Sequence, residues 1–145
     1  MNLLPTIGID NLLFGMTAQE VTLQLGPPTK IFNEEDEPDH LVHQYDDLKL
    51  RLTYYGEEGG RLGYIHCAAH NLQVNGKQII GQPVAVVKEQ FQLTSPKDWE
   101  VETYTFFDTH FSEGLWLILN VEYGAVTDVE IGVPFKNDEE YDWKR

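Results

Sequence analysis

The histidines and the single cysteine are the residues of this chain best suited to metal or nucleophilic chemistry, and they come in two groups. His66, Cys67 and His70 form one group, and His40 and His43 form the other. Adjacent side chains of a strand point to opposite faces, so His66 and Cys67 would not converge. Zinc needs three or four convergent ligands, and no acidic residue stands at a useful spacing. We therefore expect structural or surface histidines, a small buried cysteine, and no metal or other cofactor.

The acidic residues give a second candidate. Glu34, Glu35, Asp36 and Glu37 form a run that ends at Pro38 and Asp39, without the loop glycine and spaced ligands of a calcium-binding loop. The run indicates either a solvated loop or a docking edge for a basic partner. Paired carboxylates for hydrolysis are a further option, but the candidates are indistinguishable from turn residues. These are Asp46, Asp108 and Glu113.

Composition restricts the function further. The chain has 145 residues and a net charge of −14, which opposes binding to nucleic acid or to anionic membranes. No Gly-x-Ser-x-Gly sequence, phosphate loop or dinucleotide fingerprint is present, so we expect a protein that is not an enzyme. No signal peptide or membrane span stands out, and the one cysteine excludes an internal disulfide, which together predict a cytoplasmic protein.

Two short helices and several strands are predicted. Thr17 and Glu20 form a capping box, and Gly26 with Pro27 and Pro28 ends the first helix. The second helix begins at Pro83 and ends at Thr94-Ser95-Pro96. Period-two patterns predict the strands. They span 41–45, 48–55, 61–68, 99–107, 115–121 and 126–133.

Similar segments recur along the chain. The helical pattern at 14–21 is matched at 80–87, and the alternating strand at 48–52 is matched at 115–119. The period suggests a duplicated supersecondary unit. We therefore predict an α+β fold: a tandem helix-plus-antiparallel-strands unit with two helices packed on one face of a single antiparallel sheet. One domain would span 1–145, with repeats at about 9–74 and 75–135 and a charged tail at 136–145.

The first helix carries a recognisable motif. Phe14-Gly15-Met16-Thr17-Ala18-Gln19-Glu20-Val21, followed by Leu25-Gly26-Pro27-Pro28, resembles the helix signature of the SmpA/OmlA family of outer-membrane assembly lipoproteins. The tandem arrangement resembles the fold of the β-lactamase inhibitor protein family. The resemblance implies a duplicated helix-and-strand fold and a role in binding proteins.

One face of the predicted sheet has the composition of a protein interface. With Leu48, Leu50 and Leu52 toward the helices, the other face carries Arg51, Tyr55, Trp116 and Ile118, a mixture typical of binding surfaces. It could instead be covered by the chain's own tail or by a second copy. The residues expected to bind a partner are Arg51, Tyr55, Tyr104, Phe106, Trp116, Ile118, Glu34, Glu35, Asp36 and Glu37.

The sequence thus favours an acidic, non-enzymatic protein-binding module. Its most concrete form is an immunity or inhibitor protein that neutralises a basic toxin or enzyme. Two alternatives stay open. One is a small-molecule-binding protein or enzyme with a pocket between the sheet and the acidic loop, and the other is a structural protein that forms a homodimer or larger homo-oligomer.

Overall fold

Antiparallel strands dominate the computed structural model, which describes residues 1–91 and 98–145. The helices are α1 (Ala18–Leu25) and α2 (Val84–Glu89), and a 3₁₀ turn spans Gly56–Glu58. The strands of the first half are β1 (Leu3–Leu4), β2 (Gly8–Ile9), β3 (Leu12–Leu13), β4 (Lys30–Asn33), β5 (His40–Tyr45), β6 (Leu50–Tyr55), β7 (Arg61–Cys67), β8 (Gln73–Val74) and β9 (Lys77–Gln78). Those of the second half are β10 (Glu100–Thr103), β11 (Asp108–Ser112), β12 (Leu117–Glu122) and β13 (Ala125–Gly132).

The main sheet has eight strands in the order β10-β11-β12-β13-β7-β6-β5-β4. Two antiparallel meanders, β4 to β7 and β10 to β13, therefore meet at their last strands. The junction pairs Ile131 with Ile65 and Glu130 with His66. Strands β1 to β3 form a small separate sheet, and β8 pairs with β9.

Local chemistry sets the bounds of α1 as predicted. The Thr17 hydroxyl accepts from the Glu20 amide at 3.2 Å, and Glu20 Oε1 accepts from the Thr17 amide at 3.0 Å. Gly26 follows the helix with φ of 81°, a backbone conformation that glycine adopts without a Cβ clash. Helix α2 ends at Glu89, and the end predicted at Thr94-Ser95-Pro96 lies outside the described residues.

The predicted α+β architecture, with a tandem duplicated unit and two helices packed on one face of the sheet, is wrong. Helices α1 and α2 have only 8 and 6 residues, and each has one buried residue, Val21 and Val87. Two such helices are too short to cover eight strands. The small N-terminal sheet supplies much of the remaining cover, because Leu3, Ile9 and Leu12 are buried in the same core.

Several strand bounds also differ from the prediction. The strand predicted at 99–107 ends at Thr103, because the Tyr104 amide donates to the Phe107 carbonyl at 2.8 Å and turns the chain into β11. Lys49 and Trp116 have positive φ values of 53° and 50° and lie in turns. Strands β1 to β4 escape prediction because two- to four-residue strands are too short to show a period.

The faces of the central strands follow the alternation in the sequence. Leu50, Leu52, Leu117 and Leu119 are all buried in the core. Arg51 alternates with them and is exposed on the opposite face. In the described part of the chain, neither helix is long and apolar enough to cross a membrane.

The C-terminal tail is packed against the sheet rather than hanging free. The Tyr141 ring lies 5.4 Å from that of Tyr55, and the Trp143 indole donates to Glu58 Oε1 at 3.0 Å. Arg61 stacks on Trp143 at 4.5 Å and donates to the Arg145 carbonyl at 2.7 Å. Apolar and stacking contacts thus hold the segment predicted as a charged tail.

A bulge in β7 makes room for the aromatic ring at the start of these contacts. The β6–β7 register shifts so that Thr53 pairs with Tyr64 and Tyr54 with Leu62, leaving Gly63 as the extra residue. The Tyr55 ring lies directly over Gly63, where an added Cβ would overlap the ring atoms. A glycine in a bulge often marks such a close approach.

Replacing this glycine should destabilise the protein. We expect Gly63→Ala to displace the Tyr55 ring and to lower the free energy of unfolding by about 1–3 kcal/mol, as overpacking typically does. Urea unfolding followed by tryptophan fluorescence would measure it. Gly114→Ala is the matched control, since an added Cβ there meets nothing within 4 Å, and equal stability of the two variants would contradict the packing described.

Candidate functional site

One face of the main sheet is not covered by the helices or by the N-terminal sheet. We call it the open face, and its central row follows the strand register. Arg51 pairs with His66 across β6 and β7, and His66 pairs with Glu130 across β7 and β13. The complete row is Lys30, Gln44, Arg51, His66, Glu130, Ile118, Phe111 and Glu100. Polar and charged side chains fill its middle.

A hydrogen-bonded network holds these central side chains in place. His66 Nε2 lies 2.6 Å from Asp128 Oδ2. The Asn120 amide donates to Asp128 at 2.6 Å and to Glu130 at 2.8 Å, and the Tyr64 hydroxyl donates to Glu130 at 2.7 Å. The Asn120 amide therefore bridges the two carboxylates by hydrogen bonds.

The network shifts the pKa values of its members. The hydrogen bond to Asp128 is the main cause of a raised pKa at His66, and it outweighs the opposing effect of burial. Burial pushes the pKa of Asp128 upward, but the hydrogen bonds from His66, Thr127 and Asn120 together lower it. Burial, followed by the charge of Glu130, raises the pKa of Tyr64. The arrangement therefore favours a charged His66–Asp128 pair beside a neutral tyrosine.

Two neighbouring clefts open onto this face. The first has a volume of about 710 Å³ and lies between the sheet and the acidic loop, with Phe32, Glu34, Glu35 and Asp36 on the loop side. The second has a volume of about 380 Å³ and is lined by Gln44, Lys49, Arg51 and His66, among others. Arg51 and His66 line both clefts and therefore stand at their junction.

Acidic segments that are distant in sequence meet at one end of the open face. His40 contacts Glu34 at 3.4 Å and Glu57 at 2.9 Å, so it joins the acidic loop to the 3₁₀ turn. The Trp143 indole donates to Glu58 Oε1 at 3.0 Å, which places the tail beside the 3₁₀ turn. Burial raises the pKa of Tyr141, and the charges of Glu57, Glu58 and Glu37 raise it further. We call residues 34–39, 57–58 and 138–142 together the acidic rim.

The residues predicted to bind a partner lie in three different environments. Glu34, Glu35, Asp36 and Arg51 line the first cleft, and Glu37 is exposed on the same loop. Ile118 lies on the open face, partly buried between Glu130 and Phe111.

Of the two central aromatic residues of the prediction, Tyr55 is buried by the protein itself and Trp116 is covered in part. Tyr55 is only 8% exposed, beneath the tail. Trp116 lies over Gly132, 2.7 Å from the position of an added Cβ, and its ring is 5.6 Å from Phe135. The intramolecular cover considered from the sequence is therefore present.

Tyr104 and Phe106 form a separate exposed patch at the β10–β11 turn. Phe106 is 82% exposed and Tyr104 48%. Strands β4 and β10 are the two edges of the sheet, so about six strand spacings, or roughly 29 Å, separate this β10–β11 turn from the acidic loop between β4 and β5. The strand directions also place the two at opposite ends of the sheet. One small contact surface therefore cannot include both.

Comparison with known proteins shows a fold likeness. No protein-family model and no curated protein matches the chain. The solved structure of an extracellular protein containing a SCP domain, from Bacillus anthracis str. Ames, is similar with a TM-score of 0.51 and 11% identity. The match covers 90% of this chain and 47% of that one, so this chain spans about half its length. At this identity the likeness concerns the fold alone.

Sequence reasoning missed the network at the centre of the open face. Tyr64 and His66 alternate on one strand, as Asp128 and Glu130 do on another, and these alternations were the available signal. Nothing in the sequence indicated that β7 would pair with β13. The opposite orientation of His66 and Cys67 is confirmed, because Cys67 is buried in the core with a pKa raised by burial.

Among residues 1–91 and 98–145, no group of three or more histidine, cysteine, aspartate or glutamate side chains could hold a metal ion.

The His66–Asp128 contact predicts a pH effect. Asp128→Asn should lower the pKa of His66, because the hydrogen bond to the carboxylate is the main cause of the raised value. The ring-proton shift of His66, followed by NMR over a pH series, would measure it. Glu122→Gln is the control, since it removes one exposed charge away from His66.

The same contact links folding stability to pH. The pKa of His66 is higher in the folded protein than the ordinary value of 6.5, so protonation of His66 stabilises the folded state at pH values below 6.5. This stabilisation is lost as the pH rises through the pKa of the folded state. Asp128→Asn should therefore destabilise the protein more at pH 5.5 than at pH 8.5. An unchanged His66 pKa in this variant would show that the carboxylate does not control the histidine.

Proposed function

We propose that this chain is a non-enzymatic protein-binding module that recognises a basic partner through the acidic rim and the first cleft. Its most concrete form is an immunity or inhibitor protein that occludes a basic toxin or enzyme. The observation that carries the proposal is that Glu34, Glu35 and Asp36 of the acidic loop line a concave site on the open face, and that His40 joins this loop to the acidic 3₁₀ turn.

Charge complementarity supports a basic partner. The whole chain carries −14, and a concentration of this charge at one end of the open face would orient an approaching cation-rich surface. Such steering acts over about a Debye length, roughly 8 Å at physiological salt. It raises association rates and makes binding weaken with ionic strength.

Both oxygens of Asp128 and of Glu130 already accept hydrogen bonds within the protein, which supports a binding role over catalysis. Asp128 Oδ1 accepts from Thr127 and Oδ2 from Asn120, while Oδ2 also contacts His66. Glu130 accepts from Tyr64 on one oxygen and from Asn120 on the other. Carboxylates held this way act as structural acceptors, whereas a general base needs an oxygen free to reach its substrate.

The first cleft specifically favours a second candidate, a small-molecule-binding protein. Its volume of about 710 Å³ lies within the range of ligand sites. Phe32 offers an apolar surface there, and the Lys30 ammonium lies 5.0 Å from its ring centroid. A ligand that binds only the folded state would raise the melting temperature with concentration.

Charge variants test the proposed partner. The triple variant Glu34→Gln, Glu35→Gln, Asp36→Asn neutralises the loop side of the cleft. We expect capture from native lysate to recover a basic protein with the wild type, and recovery to fall at least about tenfold with this variant because steering and contact charges are lost together. Quantitative mass spectrometry at 50 and 300 mM salt would measure both effects.

The matched control is the triple variant Asp47→Asn, Glu89→Gln, Glu122→Gln. It removes the same number of charges from exposed positions outside both clefts. Loss of capture with the loop variant alone would support the proposal. Equal capture by both variants, or a captured protein without excess basic charge, would refute it.

A further inference from the structure

Arg51 has an unusual position for an arginine in so acidic a chain. The net charge is −14, yet Arg51 makes no ion pair with any carboxylate in residues 1–91 and 98–145. Arg145 pairs with Glu20, and Arg61 is engaged by Trp143 and the Arg145 carbonyl. Arg51 is therefore the one arginine of the described chain whose charge is left to face a cleft.

The guanidinium group is nevertheless positioned. Arg51 Nε donates to Gln44 Oε1 at 3.1 Å, and the Gln44 amide nitrogen donates in turn to Asp46 Oδ1 at 2.6 Å. Anchoring through Nε leaves the two terminal nitrogens without a hydrogen bond in the described part of the chain. Those nitrogens form the fork that binds oxyanions in a bidentate way.

His66 supplies a second donor on the neighbouring strand. It pairs with Arg51 in the β6–β7 register, on the same face. Its Nε2 contacts Asp128 at 2.6 Å, so its Nδ1 is available to the clefts. Asp128 is itself held by Thr127 and Asn120, which fixes the imidazole in the way that supporting carboxylates orient functional histidines.

The second cleft gathers the cations. Lys49, Arg51 and His66 line it, and the acid in its wall, Asp46, accepts from Gln44. The charge of Arg51 also opposes protonation of His66, so the two groups are close enough to repel each other. An anion between them would turn this repulsion into attraction.

We infer that Arg51 and His66 form a binding site, in the second cleft, for the oxyanion group of a small molecule. Carboxylates and phosphates both present oxygens that suit this site: Arg51 binds two oxygens through its terminal nitrogens, and His66 donates from Nδ1. Lys49 adds charge at the mouth. The volume of about 380 Å³ suits a ligand of modest size. Arg51 and His66 also line the first cleft, which is proposed for the protein partner, but the anion site itself lies in the second cleft with Lys49, and the acidic loop does not line that cleft.

An NMR titration tests the site. Uniformly ¹⁵N-labelled protein would be titrated with inorganic phosphate and, separately, with succinate, at constant pH and ionic strength set with chloride. We expect saturable shift changes centred on Arg51, His66 and Lys49 with at least one of the two probes. Response to phosphate alone or to succinate alone would identify the ligand class.

Three variants make the result decisive. Arg51→Gln should weaken binding at least about tenfold, the usual effect of losing charge-assisted hydrogen bonds. Arg51→Lys should give an intermediate loss, because the charge remains and the fork is gone. Lys77→Gln, which removes an exposed cation outside both clefts, should bind like the wild type.

Two results of the titration would refute the proposed anion site. No saturable response to either probe, or equal affinity in Arg51→Gln and Lys77→Gln, would refute the site. Because the acidic-loop variant leaves Arg51 and His66 intact, it should bind the anion normally. Failure of the partner proposal and failure of this one can therefore be told apart.

Discussion

The antiparallel pairing of β7 with β13 joins two four-stranded meanders into one sheet, and the open face depends on it. The junction sets Ile65 against Ile131 on the buried side and His66 against Glu130 on the exposed side. Because side chains alternate along strands, a slip of one residue would exchange these two sets. The buried apolar pairs thus hold the polar network in register.

The two faces of this sheet are covered in different ways. On the buried face, two short helices are supplemented by the N-terminal strands, whose leucines and isoleucines complete the core. In the part of the chain that the structure describes, the C-terminal tail packs on one end of the open face, through stacking of Phe135 on Tyr141 at 4.5 Å and of Tyr141 against Tyr55. This partial cover buries Tyr55, one of the aromatic residues predicted to bind a partner, and leaves the charged clefts accessible.

Charge is separated over a short distance on this face. Glu34, Glu35 and Asp36 of the acidic loop line the first cleft, while Lys49, Arg51 and His66 line the second cleft beside it. Neighbouring regions of opposite sign interact strongly where the clefts reduce access of water.

The sequence by itself determined the local features that depend on near neighbours. The capping box of Thr17 and Glu20, the burial of alternate leucines in β6 and β12, and the opposite orientation of His66 and Cys67 all follow from short-range geometry. The predicted roles of Glu34, Glu35, Asp36, Glu37 and Arg51 stay predictions, although the cleft gives most of them a shared location. The α+β architecture failed because periodicity cannot reveal strands of two to four residues or the length of a helix needed to cover a sheet.

Only the tertiary structure decided which distant residues meet. The β7–β13 pairing brought Asp128 to His66, the tail covered Tyr55, and the strand order placed Phe106 roughly 29 Å across the sheet from the acidic loop. The physical reason is that strand pairing and tail docking optimise the burial of the whole core, a sum over long-range contacts that no short window of sequence contains.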